Sequence, residues 1–243
     1  DVVYEYAPAA DPNPEQQVTK LAPTTSATPT AKTKETTLAA APTASPAADP
    51  ATPAEGSAEK PTTNVIKVVN NWVGAAAKEL KIRLSNVNIK AEDAGRKAAM
   101  DVSGGGKTKV ELDGQNVLDS SKCVFWAGLS KKGSGNLTIT DETSDKGETI
   151  TAKEETETSG SLRAEGGCYR GPSLSGGAAA IGGSWGQATD NITIEGYATV
   201  KANTKDNNGA GIGGGAGAKG SNITIQGHAN VTADGGKTGA GIG

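Results

Sequence analysis

Three sets of residues have types and spacings that could do chemistry. The acidic run DETSDKGE places Asp141, Glu142, Asp145 and Glu148 within eight residues, and their oxygens could hold Ca²⁺ in a loop. The run lacks the order of a helix–loop–helix calcium site, and the glycine–aspartate nonapeptide of calcium-binding rolls is absent, so a solvated acidic loop is the competing reading. Trp185 in GGSWGQ, with Tyr197 and His228 at a fixed 31-residue offset from each other, could form a strip on which sugars stack. Against that strip stands the plainer view of ordinary surface positions on a repeat. Phe125 and Trp126 could form a similar patch, but packing inside a wider coil is the favoured reading. The third set is Cys123 and Cys168. They could form a disulfide if their coils bring them together, and two separate buried thiols is the alternative. Without a CxxC pair, and with His228 as the one histidine, cysteine-based metal binding has no support.

Catalysis has little footing. Polysaccharide-cleaving sites need facing carboxylates or clustered Asp, Glu, Lys and Arg. Here Glu195 gives way to Gln226 one repeat later, and Lys201 to Thr232. No catalytic residue is assigned, no cofactor is expected beyond Ca²⁺ at the acidic run, and the chain reads as a non-enzyme. The N-x-T triplets at Asn136, Asn191, Asn222 and Asn230 read as turn asparagines ahead of strands.

The elements that must position these groups are repeats. AAAIGG (178–183), GAGIGGG (209–215) and GAGIG (239–243) recur, with Ile181, Ile212 and Ile242 spaced by 31 and 30 residues. Between them, DNITIEGYATVKA (190–202) and SNITIQGHANVTA (221–233) superimpose. A fixed period near 31 marks a stacked repeat, and it is too short for a propeller blade of about 40 residues. In each unit strand alternation turns Ile192, Ile194, Val200 and Ala202 inward and Thr193, Glu195, Thr199 and Lys201 outward. Ile212 is the inward peg of a tight glycine-rich side. Gly196/Gly227 and Asn191/Asn222 sit where corners need left-handed backbone.

Composition agrees. Aromatic residues make up only 3% of 243, against 34 glycines, which suits a narrow coil lined by Ile, Val, Leu and Ala. The expected fold is all-β: a right-handed parallel β-helix of about five or six coils over residues 63–243. Strands are expected near 64–81 (with a short helix or turn at 73–80 as a cap), 82–90, 98–103, 108–113, 116–119, 123–127, 136–140 and 148–152. Residues 159–177 read as an insertion. Residues 1–62 contain ten of the eleven prolines and read as a disordered Pro/Ala/Thr-rich stalk, with 1–7 as the end of a preceding domain. The chain does not begin with methionine and ends in an open repeat, so it is expected to be part of something longer, with further coils after residue 243.

The run from Ile82 to Gly243, above all the repeated GAGIGG phrase, resembles a group of exported bacterial proteins, mostly from Firmicutes, that carry GAGIGGG-type repeats. The resemblance implies a carbohydrate-binding β-helix at the cell surface or secreted, and it transfers no catalytic site. Phe125–Trp126 and residues 159–177 depart from the group's pattern. With a net charge of −3 and mixed signs, a nucleic-acid surface is not expected. No apolar run approaches about 18 residues, so no membrane span is expected within the segment. The expected function is adhesion or binding to polysaccharide or surface glycans by a monomeric module of a larger chain. The alternatives are a structural spacer rod or a polysaccharide-degrading enzyme.

Overall fold

The alternation seen in the sequence becomes three parallel sheets. The computed structural model describes residues 2–6, 18–21, 60–74, 77–92, 97–143, 160–170, 175–204 and 208–243. Among them the first sheet joins β1 (Val2–Tyr6), β3 (Ile66–Asn70), β6 (Met100–Ser103), β9 (Leu129–Lys131), β14 (Ile181–Gly182) and β17 (Ile212–Gly213). The second joins β2 (Val18–Leu21), β4 (Leu80–Ser85), β7 (Thr108–Asp113), β10 (Leu137–Asp141), β15 (Ile192–Gly196) and β18 (Ile223–Ile225). The third joins β5 (Asn88–Lys90), β8 (Gln115–Asp119), β11 (Ser161–Glu165), β16 (Thr199–Asn203) and β19 (Asn230–Asp234). From β3 onward the chain visits first, second and third sheet in turn through five circuits of the described residues. That route is consistent with a parallel β-helix. One antiparallel hairpin, β12 (Cys168–Arg170) with β13 (Ser175–Gly177), departs from it.

Register stacks like on like. Ile82 lies beside Val110, Val110 beside Ile139, Ile139 beside Ile194 and Ile194 beside Ile225. Ile181 sits between Leu129 and Ile212, and Val200 between Leu162 and Val231. Leu129, Ile139, Ile181, Ile194, Val200 and Ile212 are fully buried. Each Ile or Leu so placed contributes about 1.5–3 kcal/mol, which is how a core almost free of aromatics holds together. The corners follow the residue types that alternation left over. Asn191 and Asn222 have φ of 54° and 50°, and Asn222 Nδ2 donates to Asn191 Oδ1 at 3.1 Å. Gly196 and Gly227, at φ 66° and 68°, close the next corner in successive circuits.

Two expectations change and a third is narrowed. The segment 123–127 is a turn, not a strand. Cys123 N–H donates to Ser120 O (2.8 Å) and Trp126 N–H to Cys123 O (3.1 Å), and the strand begins later, at Leu129. Residues 159–177 are only partly an insertion: Ser161–Glu165 is a regular strand, with Leu162 and Ala164 buried, and the hairpin is the added piece. Of the short helix or turn expected at 73–80, the described residues form the turn, ahead of β4 at Leu80. Gly74 has φ of 110°, Ala77 N–H donates to Gly74 O at 3.0 Å, and Val73 is exposed instead of covering a coil. The expected strand at 148–152 lies outside the described residues, as does most of the expected stalk.

Candidate functional site

The turn after β8 brings two aromatic residues out of the coil path. Phe125 has φ of 75°, in the left-handed region where an aromatic residue costs on the order of 1–3 kcal/mol. The surroundings hold it there. Trp185 N–H donates to Phe125 O at 2.9 Å, and Gly167 N–H donates to Trp126 O at 2.8 Å. Trp126 packs against the core, while Phe125 is half-buried.

Two more rings meet Phe125. The Trp185 ring stacks on it with centroids 4.6 Å apart and planes 28° from parallel. Tyr169, from the hairpin, lies 5.3 Å away at 42°. Contacts of this geometry add about 0.5–1.5 kcal/mol beyond area burial. Gly176, also in the hairpin, lies close under the indole: a Cβ there would stand 2.5 Å from Trp185 Nε1. Tyr169 and Trp185 remain 36% and 41% exposed. Three short segments, distant in sequence, thus build one aromatic surface with accessible rings. Beside it Lys132 Nζ sits 4.6 Å from the Trp126 ring centroid and 3.1 Å from Asp101 Oδ2. The neighbouring Lys131, itself buried, pairs with Asp190 Oδ1 at 2.8 Å. Asp101 Oδ1, Ser130 Oγ and Ser184 Oγ are buried with no partner among the described residues; Asp101 and Ser130 are register neighbours and Ser184 adjoins Trp185.

The sequence-derived candidates divide. Trp185 joins Phe125 and Tyr169. Tyr197 and His228 stack on each other, 4.7 Å apart and 3° from parallel, on the turn between second and third sheets. Trp185 lies on the turn between first and second sheets, so the three do not share one turn. Tyr169 was missed, because a lone tyrosine in an apparent insertion has no periodic partner. Its signal was its place between glycine-flanked strands capable of a hairpin.

The acidic run also separates. Asp141 alternates with Leu137 and Ile139 and faces inward, fully buried. Gly160 N–H donates to its Oδ2 at 2.5 Å, whereas Oδ1 is buried without a partner among the described residues. Burial pushes its carboxyl up to about 7, and the nearby carboxylates of Glu111 and Asp113 push the same way. The Gly160 amide and Arg83 oppose that shift. Glu142 instead pairs with Lys109 Nζ at 2.6 Å. Burial works against the Lys109 charge, but the Glu142 partner prevails and holds its pKa above the ordinary lysine value. Asp145 and Glu148 lie outside the described residues. Among those described, no group of three or more His, Cys, Asp or Glu comes together to hold a metal. Cys123 is buried and Cys168 half-buried, and no disulfide joins them. No helix among the described residues is long and apolar enough to cross a membrane.

No family model, curated protein or solved structure matches the chain.

Proposed function

We propose that the chain is a non-catalytic, extracellular binding module that contacts polysaccharide through the Phe125–Tyr169–Trp185 surface, mounted on a right-handed parallel β-helix. The handedness follows the general preference of parallel crossovers. The observation that supports the function is the convergence of three rings from separate segments, two of them open to solvent, around a strained Phe125. Pyranose rings present flat C–H faces that stack on such aromatics, and backbone strain of this kind collects at ligand-binding positions. Lys131 and Lys132 beside the surface are ion-paired with Asp190 and Asp101, so the contact is made chiefly by ring faces. That favours a neutral polysaccharide over an acidic one.

Glycan-array screening of the chain, followed by pull-down with insoluble polysaccharides, tests this reading. Retention on neutral polysaccharides that is lost in Trp185→Ala supports it. No retention on any polymer counts decisively against it.

A further inference from the structure

We propose that Cys123 and Cys168 are the two ends of a reversible disulfide that ties the Tyr169 hairpin to the Phe125 turn. The effect on binding rests on the reading of the aromatic surface as a glycan site; formation of the bond does not. Register sets the two segments side by side, with Asp119 paired to Glu165 in parallel strands. Both chains then leave the third sheet together. Ser120 N–H donates to Glu165 O at 2.9 Å, and Gly167 N–H donates to Trp126 O at 2.8 Å. Gly167 lies so tightly against the Cys123 carbonyl that a Cβ on it would fall 1.8 Å from that oxygen. Cys168 is the next residue. A disulfide spans Cα separations of about 4.4–6.8 Å, and the close approach of Gly167 to the Cys123 carbonyl brings the two cysteine-bearing segments together.

The position of the pair gives the bond a consequence. Cys123 precedes Phe125 by two residues, Cys168 directly precedes Tyr169, and the two rings are 5.3 Å apart. A bond between the sulfurs therefore fixes the hairpin against the turn at the place where their rings meet. The chemistry is ordinary thiol–disulfide exchange with a small disulfide such as glutathione disulfide. The Cys168 thiolate, on the more accessible residue, attacks one glutathione sulfur and releases one glutathione. The Cys123 thiolate then attacks Cys168 Sγ in the mixed disulfide and releases the second. Two S–H bonds are lost and one S–S bond forms; the two electrons and two protons leave on the two glutathione molecules. Ordering the hairpin in advance lowers the cost of assembling the surface around a sugar.

The test uses the full chain, fully reduced and then equilibrated with glutathione disulfide. Non-reducing peptide mapping should show Cys123 linked to Cys168 within one chain, with the mass lower by two hydrogens and no glutathione retained. Persisting thiols, a lasting glutathione adduct at Cys168 or intermolecular dimers would overturn the proposal. Hydrogen–deuterium exchange supplies a readout independent of any sugar. Hairpin amides should exchange about tenfold more slowly in the oxidised chain, a difference absent in Cys168→Ser; equal rates in the two redox forms refute the tie. Hydroxyethyl cellulose, as a soluble neutral probe, should bind more tightly to the oxidised form. Equal binding in both forms overturns the functional coupling, whereas no binding in either form, with the mapped bond present, overturns the glycan reading and leaves the bond established.

Discussion

Replacing Asp141 by asparagine should make the fold more stable at alkaline pH and leave it nearly unchanged in acid. Asp141 follows Leu137 and Ile139 on the inward face of β10 and pairs in register with Gly196. The carboxylate is fully buried, with one oxygen held by Gly160 N–H and the other without a partner among the described residues. Arg83, whose charge opposes the shift, is already bonded to both oxygens of Asp113, at 2.6 and 2.9 Å. Glu111 accepts from Thr143 and from the backbone N–H groups of Glu142 and Thr143, and it adds a second negative charge nearby.

A folded-state pKa near 7 against an ordinary 3.8 means the fold favours the neutral acid. Its contribution is full below pH 4 and is lost progressively as pH rises towards and through 7. A shift from 3.8 to about 7 corresponds to about 4 kcal/mol at 1.36 kcal/mol per unit. Asparagine keeps an oxygen for Gly160 N–H and does not ionise. Urea unfolding of wild type and Asp141→Asn from pH 4 to 8.5 reads the difference directly. The two midpoints should nearly coincide at pH 4 and separate by pH 8.5, by a stability difference of about 4 kcal/mol at most. A gap between the two proteins that does not change with pH would refute the assignment of a neutral, buried Asp141.

Other outcomes follow from the same structure. Ile194→Ala removes a buried peg between Ile139 and Ile225 and should cost about 2–5 kcal/mol, read as a fall in the urea midpoint. Gly176→Ala places a methyl group against Trp185 Nε1 and should push the indole off Phe125. Near-ultraviolet circular dichroism should report the lost ring pair, with polysaccharide binding weakened and the unfolding midpoint little changed.

How much was legible depended on whether a residue had a partner one period away. Ile181 with Ile212 and Ile194 with Ile225 announced their own register, and the structure pairs them as the 31-residue spacing requires. Asn191 with Asn222 and Gly196 with Gly227 announced the corners in the same way. The aromatic surface has no such repeat. Val124, Phe125 and Trp126 favour strands, yet they lie in a turn whose backbone meets Gly167 and Trp185. Tyr169 lies in a hairpin that interrupts the period, and Ser161–Glu165 was absorbed into that interruption because only Leu162 and Ala164 mark its inward face. Asp141 shows a signal that was present and outweighed. Alternation from Leu137 points it inward, but its acidic neighbours suggest a loop ligand.

The most direct measurement of the central claim is a calorimetric titration of hydroxyethyl cellulose into four proteins. These are wild type, Trp185→Ala, Tyr169→Ala and the double variant Tyr197→Ala/His228→Ala. Either change on the Phe125 surface should weaken binding about tenfold, or ~1.4 kcal/mol, while the double variant at the other turn binds like wild type. Full affinity retained in Trp185→Ala and Tyr169→Ala, or loss only in the Tyr197/His228 variant, would contradict it.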